Sequence, residues 1–180
     1  MPTLPVLPDA EQLVDQLVEQ LRPRVHANTA MVGIVTGGAW LAERLHKRLA
    51  ISAPLGLIDI SFYRDDYSSS GLKASVKPSH IPFDVNGRDL LLVDDVLYTG
   101  RTTRAALNEL FDYGRPRSVQ LVVLADRDER QLPIAAQFAG AVIQVPLGQS
   151  LELHRDAQGR FEFALQARID VGNSQPAGAP

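Results

Sequence analysis

One run of residues limits the folds open to this chain. It reads Leu90-Leu91-Leu92-Val93, then Asp94-Asp95, Val96-Leu97-Tyr98 and Thr99-Gly100-Arg101-Thr102-Thr103. Large aliphatic residues in unbroken succession, bounded by charge, describe a strand buried on both faces, and such strands belong in parallel sheets. Residues 104–113 carry Leu107, Leu110 and Phe111 at helical spacing and are closed by Gly114 and Pro116. The sequence therefore predicts a strand over 90–93 and a helix over 104–113, with the acids and the Thr-Gly-Arg-Thr run in the loop between them. In open α/β folds that loop, at the carboxyl end of a strand, is where ligands bind.

The residue types there suit a sugar phosphate. Thr99, Thr102 and Thr103 offer hydroxyl donors, and Gly100 permits close backbone approach or a positive φ. The amides and dipole of a helix start make an anion site. Asp94 and Asp95, one step earlier, can accept hydrogen bonds from the vicinal hydroxyls of a ribose. Adjacent acids alone describe an acidic turn ahead of a threonine-capped helix. The aliphatic strand before them and the glycine–threonine helix start after them favour a ligand with a diol at one end and a phosphate at the other.

Bulk composition narrows the class. A chain of 180 residues is most simply one domain, here 1–171, and buries about 70% of its unfolded surface. Residues 172–180, rich in glycine, proline and alanine, read as a disordered tail. A net charge of −3 argues against a surface built for nucleic acid. With no cysteine, disulfides, thiolate catalysis and cysteine metal sites are excluded, and a reducing cytoplasm fits. No apolar run approaches the length of a membrane span, and residues 1–8 lack the pattern of a signal peptide. His26, His46, His80 and His154 are scattered without ligand spacing and read as surface or packing residues.

Along the chain, Asp9 and Gln12 have the spacing of a capping box. Leu13, Leu17 and Leu21 mark one face of a packing helix that Pro23 ends or kinks. A short apolar strand, 30–35, passes through Thr36-Gly37-Gly38 into a helix with Leu41, Leu45 and Leu49 on one face. This repeats the strand, glycine, helix order of the main run and makes a second candidate anion loop, although taken alone the glycine pair reads as a tight turn. Residues 55–63 alternate as a strand and run into Arg64-Asp65-Asp66-Tyr67 and Ser68-Ser69-Ser70-Gly71. That composition cannot pack a core, so 65–79 are expected to form a mobile flap. Residues 81–84 are expected to return to the sheet before the turn pair Asn86-Gly87. A further aliphatic strand, 118–125, ends in Asp126-Arg127, near the ligand by the same logic; a solvated ion pair at a strand end accounts for them equally well. A strand over 138–145 follows, and then a hairpin pairing Leu151-Glu152-Leu153 with Phe161-Glu162-Phe163.

The run Val93-Asp94-Asp95-Val96-Leu97-Tyr98-Thr99-Gly100-Arg101-Thr102 resembles the phosphoribosyl-pyrophosphate (PRPP) motif of type I phosphoribosyltransferases. Its Val-Leu-Tyr-Thr-Gly-Arg-Thr form is similar to that of the PyrR family, pyrimidine operon regulators with uracil phosphoribosyltransferase activity. The likeness extends from about Asp9 to about Phe163. Within it, Ile58-Asp59-Ile60 followed by Tyr63-Arg64-Asp65-Asp66 resembles the family's flap strand.

The resemblance implies an α/β type I phosphoribosyltransferase fold, a central and mainly parallel sheet flanked by helices, with a small hood and a flexible flap. It implies transfer of ribosyl 5-phosphate from PRPP to uracil, giving UMP and pyrophosphate. PRPP and UMP would then lie on Asp94, Asp95, Val96, Leu97, Tyr98, Thr99, Gly100, Arg101, Thr102 and Thr103, with Asp94, Asp95 and Arg64 as the catalytic set. Thr36, Gly37 and Gly38 correspond to the pyrophosphate loop, which in these enzymes often holds a non-proline cis peptide. Arg64 can grip two phosphate oxygens at once, with Lys73 and Lys77 as assistants. Asp126, Arg127 and Leu151 are the base-site candidates, the last on a hairpin that would serve as the hood. Mg²⁺ is implied, held mainly through substrate oxygens with Asp94 and Asp95 as further ligands. A homodimer or homotetramer is also implied.

Two departures stand out. Gly37 takes the place of a common arginine, which removes a charge contact to pyrophosphate. Asp128-Glu129-Arg130-Gln131-Leu132-Pro133-Ile134-Ala135 stands where RNA-binding members tend to read Gly-His-Arg-Glu-Leu-Pro-Ile-Arg. Two acids enter and an arginine is lost, and Asp15 and Glu19 lie on the first helix, so contact with RNA phosphates is disfavoured. Three readings remain: a uracil transferase with or without a role in regulating pyrimidine genes, a UMP-sensing RNA-binding attenuator with little turnover, and the same transfer to a purine base such as hypoxanthine.

Overall fold

The computed structural model describes residues 6–61 and 79–168. Arg64, the expected flap apart from Ser79, with Lys73 and Lys77, and the expected tail lie outside the described residues. In chain order the elements are α1 (Ala10–Leu21), a 3-10 turn (Arg22–Arg24), β1 (Thr29–Ile34), α2 (Gly37–Leu49), β2 (Gly56–Ile58) and β3 (Asp89–Leu97). These are followed by α3 (Arg101–Asp112), β4 (Ser118–Asp126), β5 (Phe138–Val142), β6 (Gln149–Arg155) and β7 (Phe161–Ala167).

Local chemistry sets the helix ends. The Asp9 carboxylate accepts from the amides of Glu11 (2.8 Å) and Gln12 (3.4 Å), two donors that α1 itself leaves unpaired. Leu13, Leu17 and Leu21 are buried as their spacing predicts, and so are Leu41, Leu45 and Leu49 of α2. Each fully buried leucine contributes about 1.5–3 kcal/mol through removal of apolar surface from water. No helix of the described residues is long and apolar enough to cross a membrane.

The main sheet has the order β2-β1-β3-β4-β5, and every neighbouring pair is parallel. Burial on both faces explains the aliphatic runs: β1 is buried along its whole length, as are Leu90 to Val93 and Leu121 to Ala125. From β1 the chain passes through α2 to β2 on one side, then returns to β3 on the other side and continues outward to β4 and β5. Right-handed crossovers in opposite directions place α2 and α3 on opposite faces of the sheet. The reversal between β1 and β3 is the topological switch point, whose carboxyl-end crevice is the favoured ligand site of such sheets. β6 and β7 form the expected antiparallel hairpin. Its Leu151 packs with Ala125 and Ile143 at the carboxyl end of the sheet, as a small hood.

Several boundaries differ from the sequence reading. β3 does not stop at Val93; Asp94, Val96 and Leu97 stay paired with Val123, Ala125 and Asp126 of β4. The ladder is made by backbone groups, so charged side chains do not end it. α3 begins at Arg101, not at 104, because Gly100 takes a left-handed φ of 91° that sets the chain into the helix. The loop is thus only Tyr98-Thr99-Gly100, with the acids in the strand and Arg101 to Thr103 in the first helical turn.

β2 is three residues long, not the 55–63 stretch. Beyond it the Asp59 carboxylate accepts from both the amide and the hydroxyl of Ser61, and the Asp59 amide donates to Ser79 Oγ. Side chains here offer the backbone an alternative to the ladder. Residues 81–84 form no strand; the return to the sheet is a single bridge in which His80 and Leu57 exchange two 2.8 Å bonds.

Candidate active site

Register brings the two glycine-containing segments side by side. Gly33 of β1 lies opposite Val93 of β3, so the residues that follow each strand meet in the switch-point crevice. The Val35–Thr36 peptide is cis. Gly37 and Gly38 then open α2 directly against the acids. A Cβ on Gly38 would stand 2.6 Å from the Val93 carbonyl oxygen and 2.8 Å from Asp94 Cα. A Cβ on Gly37 would fall on the Asp95 carboxylate, 2.5 Å from its Cγ. The glycine pair is therefore what lets the positive end of the α2 dipole approach the two carboxylates.

The acids divide into an inner and an outer one. Asp94 is 3% exposed and its Oδ1 accepts from the Asp95 amide at 3.0 Å. Asp95 is half-buried, beside the side-chain-free Gly37. The Leu97 side chain between the acids and the loop is buried in the main core, while Val96 packs beside the hood cluster.

The loop that follows is held from behind. The Leu97 carbonyl accepts from the Arg127 amide (2.9 Å), and the Tyr98 carbonyl from Arg130 Nη1 (2.8 Å). The Thr99 carbonyl accepts from the amides of Gln131 (3.0 Å) and Leu132 (3.2 Å). In a planar trans peptide the N–H points opposite to the C=O. With three successive carbonyls turned towards residues 127–132, the amides of Tyr98, Thr99 and Gly100 face the other way. In the first turn of α3 the Arg101 amide donates to Thr99 Oγ1 (3.3 Å), while those of Thr102 and Thr103 have no intrahelical acceptor and continue the array, to which the dipole adds. Thr103 Oγ1 is buried and has no partner among the described residues; such an atom calls for a bond from a ligand or a water.

The back of the loop is itself braced. Two guanidinium groups lie over the Tyr98 ring, Arg127 at 3.9 Å and Arg168 at 4.7 Å from its centroid, and its hydroxyl accepts from Arg168 Nη1 at 2.8 Å. Arg127 is 4% exposed; it donates through Nε and Nη2 to Glu129 Oε1 (3.1 and 2.8 Å) and through Nη1 to the Gln149 carbonyl (3.4 Å). The Asp126 carboxylate bonds Arg130 and accepts from the Asp128 amide at 2.7 Å. Asp128 has φ 55°, a conformation that aspartate tolerates better than most side chains and that glycine adopts freely. Arg101 points to Gln131, with Nε 3.1 Å from its Oε1.

The sequence-predicted residues Thr36, Gly37, Gly38, Asp94, Asp95 and Thr99 to Thr103 thus share one end of the sheet. Asp126 and Arg127 adjoin them behind the loop, and Leu151 lies in the hood cluster. Sequence reasoning missed Arg130, Glu129 and Arg168. Arg130 is 32 residues from Tyr98, and only the pairing of β3 with β4 brings them together.

Comparison with known proteins agrees with this geometry. The phosphoribosyl transferase domain family matches residues 6–148. A protein of Ralstonia nicotianae named bifunctional protein PyrR is 48% identical over 167 residues, covering 89% of this chain and 95% of the relative. A protein of the same name from Pseudomonas savastanoi pv. phaseolicola is 47% identical over 151 residues, covering 82% and 89%. Among solved structures, a hypoxanthine phosphoribosyltransferase from Staphylococcus aureus aligns with a TM-score of 0.61 at 25% identity, over 77% of this chain and 76% of that one. A purine phosphoribosyltransferase from Pyrococcus horikoshii aligns at 0.59 and 24% identity, over 75% and 83%, a likeness of fold alone. The α/β sheet with its switch-point crevice is the type I phosphoribosyltransferase fold, and the chain belongs to the phosphoribosyltransferases and, within them, to the PyrR family of pyrimidine regulators with uracil phosphoribosyltransferase activity.

Proposed function

We propose that the crevice between β1 and β3 transfers ribosyl 5-phosphate from PRPP to uracil, giving UMP and pyrophosphate. The observation that carries this reading is the set of three carbonyls drawn back to residues 127–132, which leaves the loop amides facing a crevice that also holds an acid pair. Thr99 to Thr103 take the 5-phosphate, and Asp94 and Asp95 take the ribose hydroxyls. Thr36 to Gly38 and Arg64 take pyrophosphate. Asp126, Arg127 and the hood near Leu151 border the base. The bond from the anomeric carbon to pyrophosphate breaks early, so catalysis is mainly positioning and electrostatic stabilisation of an oxocarbenium-like ribose.

Mg²⁺ fits this donor set. The half-buried Asp95 beside the bare Gly37 offers one open carboxylate, and Mg²⁺ prefers one or two carboxylates with substrate oxygens and water. When bound, it lowers the charge of pyrophosphate and makes it a better leaving group. Asp95, with Asp94 behind it, would hold it.

The working form is a cytoplasmic homodimer or homotetramer. Regulation through direct RNA contact by residues 128–135 is the weaker part of the bifunctional reading, because Asp126 neutralises Arg130 and Glu129 is paired with the neighbouring Arg127. A gel shift with a pyrimidine-operon leader transcript tests it, and tight binding that weakens steeply with salt would restore it.

The main experiment measures UMP formation from PRPP and uracil beside the same assay with hypoxanthine. Uracil is expected to be the better acceptor. The double variant Asp94→Asn with Asp95→Asn should form no product while keeping the wild-type circular dichroism spectrum. Undiminished turnover by that variant would remove the acids from the mechanism.

A further inference from the structure

We infer that Arg130 is a positioning residue of the 5-phosphate site, the side chain that fixes which way the Tyr98–Thr99 peptide faces. The inference rests on the transferase reading for its substrate, but its geometry stands apart from that reading.

The guanidinium of Arg130 makes bonds from three nitrogens to three different parts of the chain. Nε donates to the Ile134 carbonyl (2.9 Å), Nη1 to the Tyr98 carbonyl (2.8 Å) and Nη2 to Asp126 Oδ2. It thereby links the end of β4, the loop after β3 and the segment behind that loop. Backbone amides hold the carbonyls on either side: Leu97 through Arg127, and Thr99 through Gln131 and Leu132. Tyr98 is the middle member, and its carbonyl is held by a side chain. If it turned over, the Thr99 amide would swing away from the phosphate side, since C=O and N–H of one peptide move together.

The surroundings favour arginine at this position. A planar fork can serve three acceptors at once, which a lysine ammonium on a flexible stem cannot do with the same fixed angles. Asp126 neutralises the charge, so Arg130 acts as an oriented set of donors and not as a cation aimed at the ligand. Ile134, whose carbonyl Arg130 holds, also backs the loop: a Cβ on Gly100 would stand 3.0 Å from Ile134 Cγ1. One side chain therefore sets both the peptide orientation at 98–99 and the wall behind Gly100.

The test compares the wild-type protein with Arg130→Met and Arg130→Lys. Each is assayed for UMP formation, for ribose 5-phosphate binding by calorimetry, and for amide hydrogen exchange in a peptide covering 97–101. Arg130→Met should raise KM for PRPP and weaken ribose 5-phosphate binding by about tenfold to a hundredfold, the size of the effect of removing a charged donor from a partly buried carbonyl. KM for uracil should change less than KM for PRPP, because Arg130 reaches the base site only through Asp126, whereas it holds the loop carbonyl directly. Exchange in 97–101 should speed up, and Arg130→Lys should show the same split at smaller size.

A loss of melting temperature with both KM values and ribose 5-phosphate affinity unchanged would overturn the proposal and leave Arg130 a purely structural brace. If Arg130→Met does not fold, Arg130→Lys decides on the same readouts, and wild-type values for it would overturn the proposal. Wild-type protein that binds ribose 5-phosphate in an Arg130-dependent way yet transfers nothing to uracil would refute the transferase reading and uphold this one.

Discussion

At the scale of single residues, the site depends on what two glycines leave out. At Gly38 any side chain would meet backbone, the Val93 carbonyl and Asp94 Cα, which cannot step aside. At Gly37 its nearest neighbours would be the Asp95 side chain, the carboxylate foremost, which can rotate, and the Asp95 Cβ at 3.1 Å. The two positions should therefore fail differently. Gly38→Ala should lower stability by about 1–3 kcal/mol through overpacking, read as a shift in the urea midpoint. Gly37→Ala should keep the midpoint but lower kcat/KM by roughly 10²-fold, because a displaced Asp95 would leave the ribose position proposed for it. Equal melting and equal activity in Gly37→Ala would detach Asp95 from catalysis. The acids, glycines and threonines were legible in the sequence because their chemistry is local to one run. Arg130 and Arg168 were not, since each meets Tyr98 only through strand register or the return of the hairpin.

At the scale of elements, the sheet is fastened at its far edge and along its flank. At the amino ends of β3 and β4 the Asp89 carboxylate bonds Arg117 and accepts from Ser118 Oγ (2.7 Å), with His26 Nε2 at 3.3 Å. The hydrogen bond from Arg117 holds the Asp89 carboxyl at about 2, below its ordinary 3.8. A lowered folded-state value means the stabilisation is complete above the unfolded value and is lost as pH falls through the window from 3.8 towards 2. Asp89→Asn should lower the melting temperature at neutral pH and flatten its decline across that window; an unchanged acid limb would contradict the latch.

On the flank, Glu11 of α1 takes Arg44 of α2 with both oxygens (2.8 and 2.7 Å) and the Phe161 amide of β7 at 2.6 Å, while Arg44 stacks 4.0 Å over the Phe161 ring. Glu11→Ala leaves an arginine and an amide without their acceptor, at a cost of about 1–3 kcal/mol by denaturant unfolding. A change below a few tenths would show the staple to be ornamental. Element types were read from periodicity except at 81–84, where the return to the sheet is one bridge at His80, while several element ends were misread. The aliphatic count stopped β3 at its first charge, although the ladder with β4 runs on to Leu97. The alternation at 55–63 promised a longer strand than Asp59 and its serine partners allow.

At the scale of the whole molecule, function follows from the reversal of strand order. Had β3 added beyond β2, the glycine turn after β1 and the acid pair on β3 would lie two strands apart and share no crevice. Instead they are neighbours, with Gly33 opposite Val93. The hood closes over the same end through Leu151, Ala125 and Ile143. A parallel sheet was legible from the doubly buried runs, but the strand order was not, because each strand is apolar enough to take any central place. The most direct test of the account is a crystal structure of the protein with UMP. The phosphate should lie within hydrogen-bonding distance of the amides and hydroxyls of residues 99–103, with the ribose hydroxyls on Asp94 and Asp95. UMP bound elsewhere, or in the crevice with its phosphate away from that loop, would contradict it.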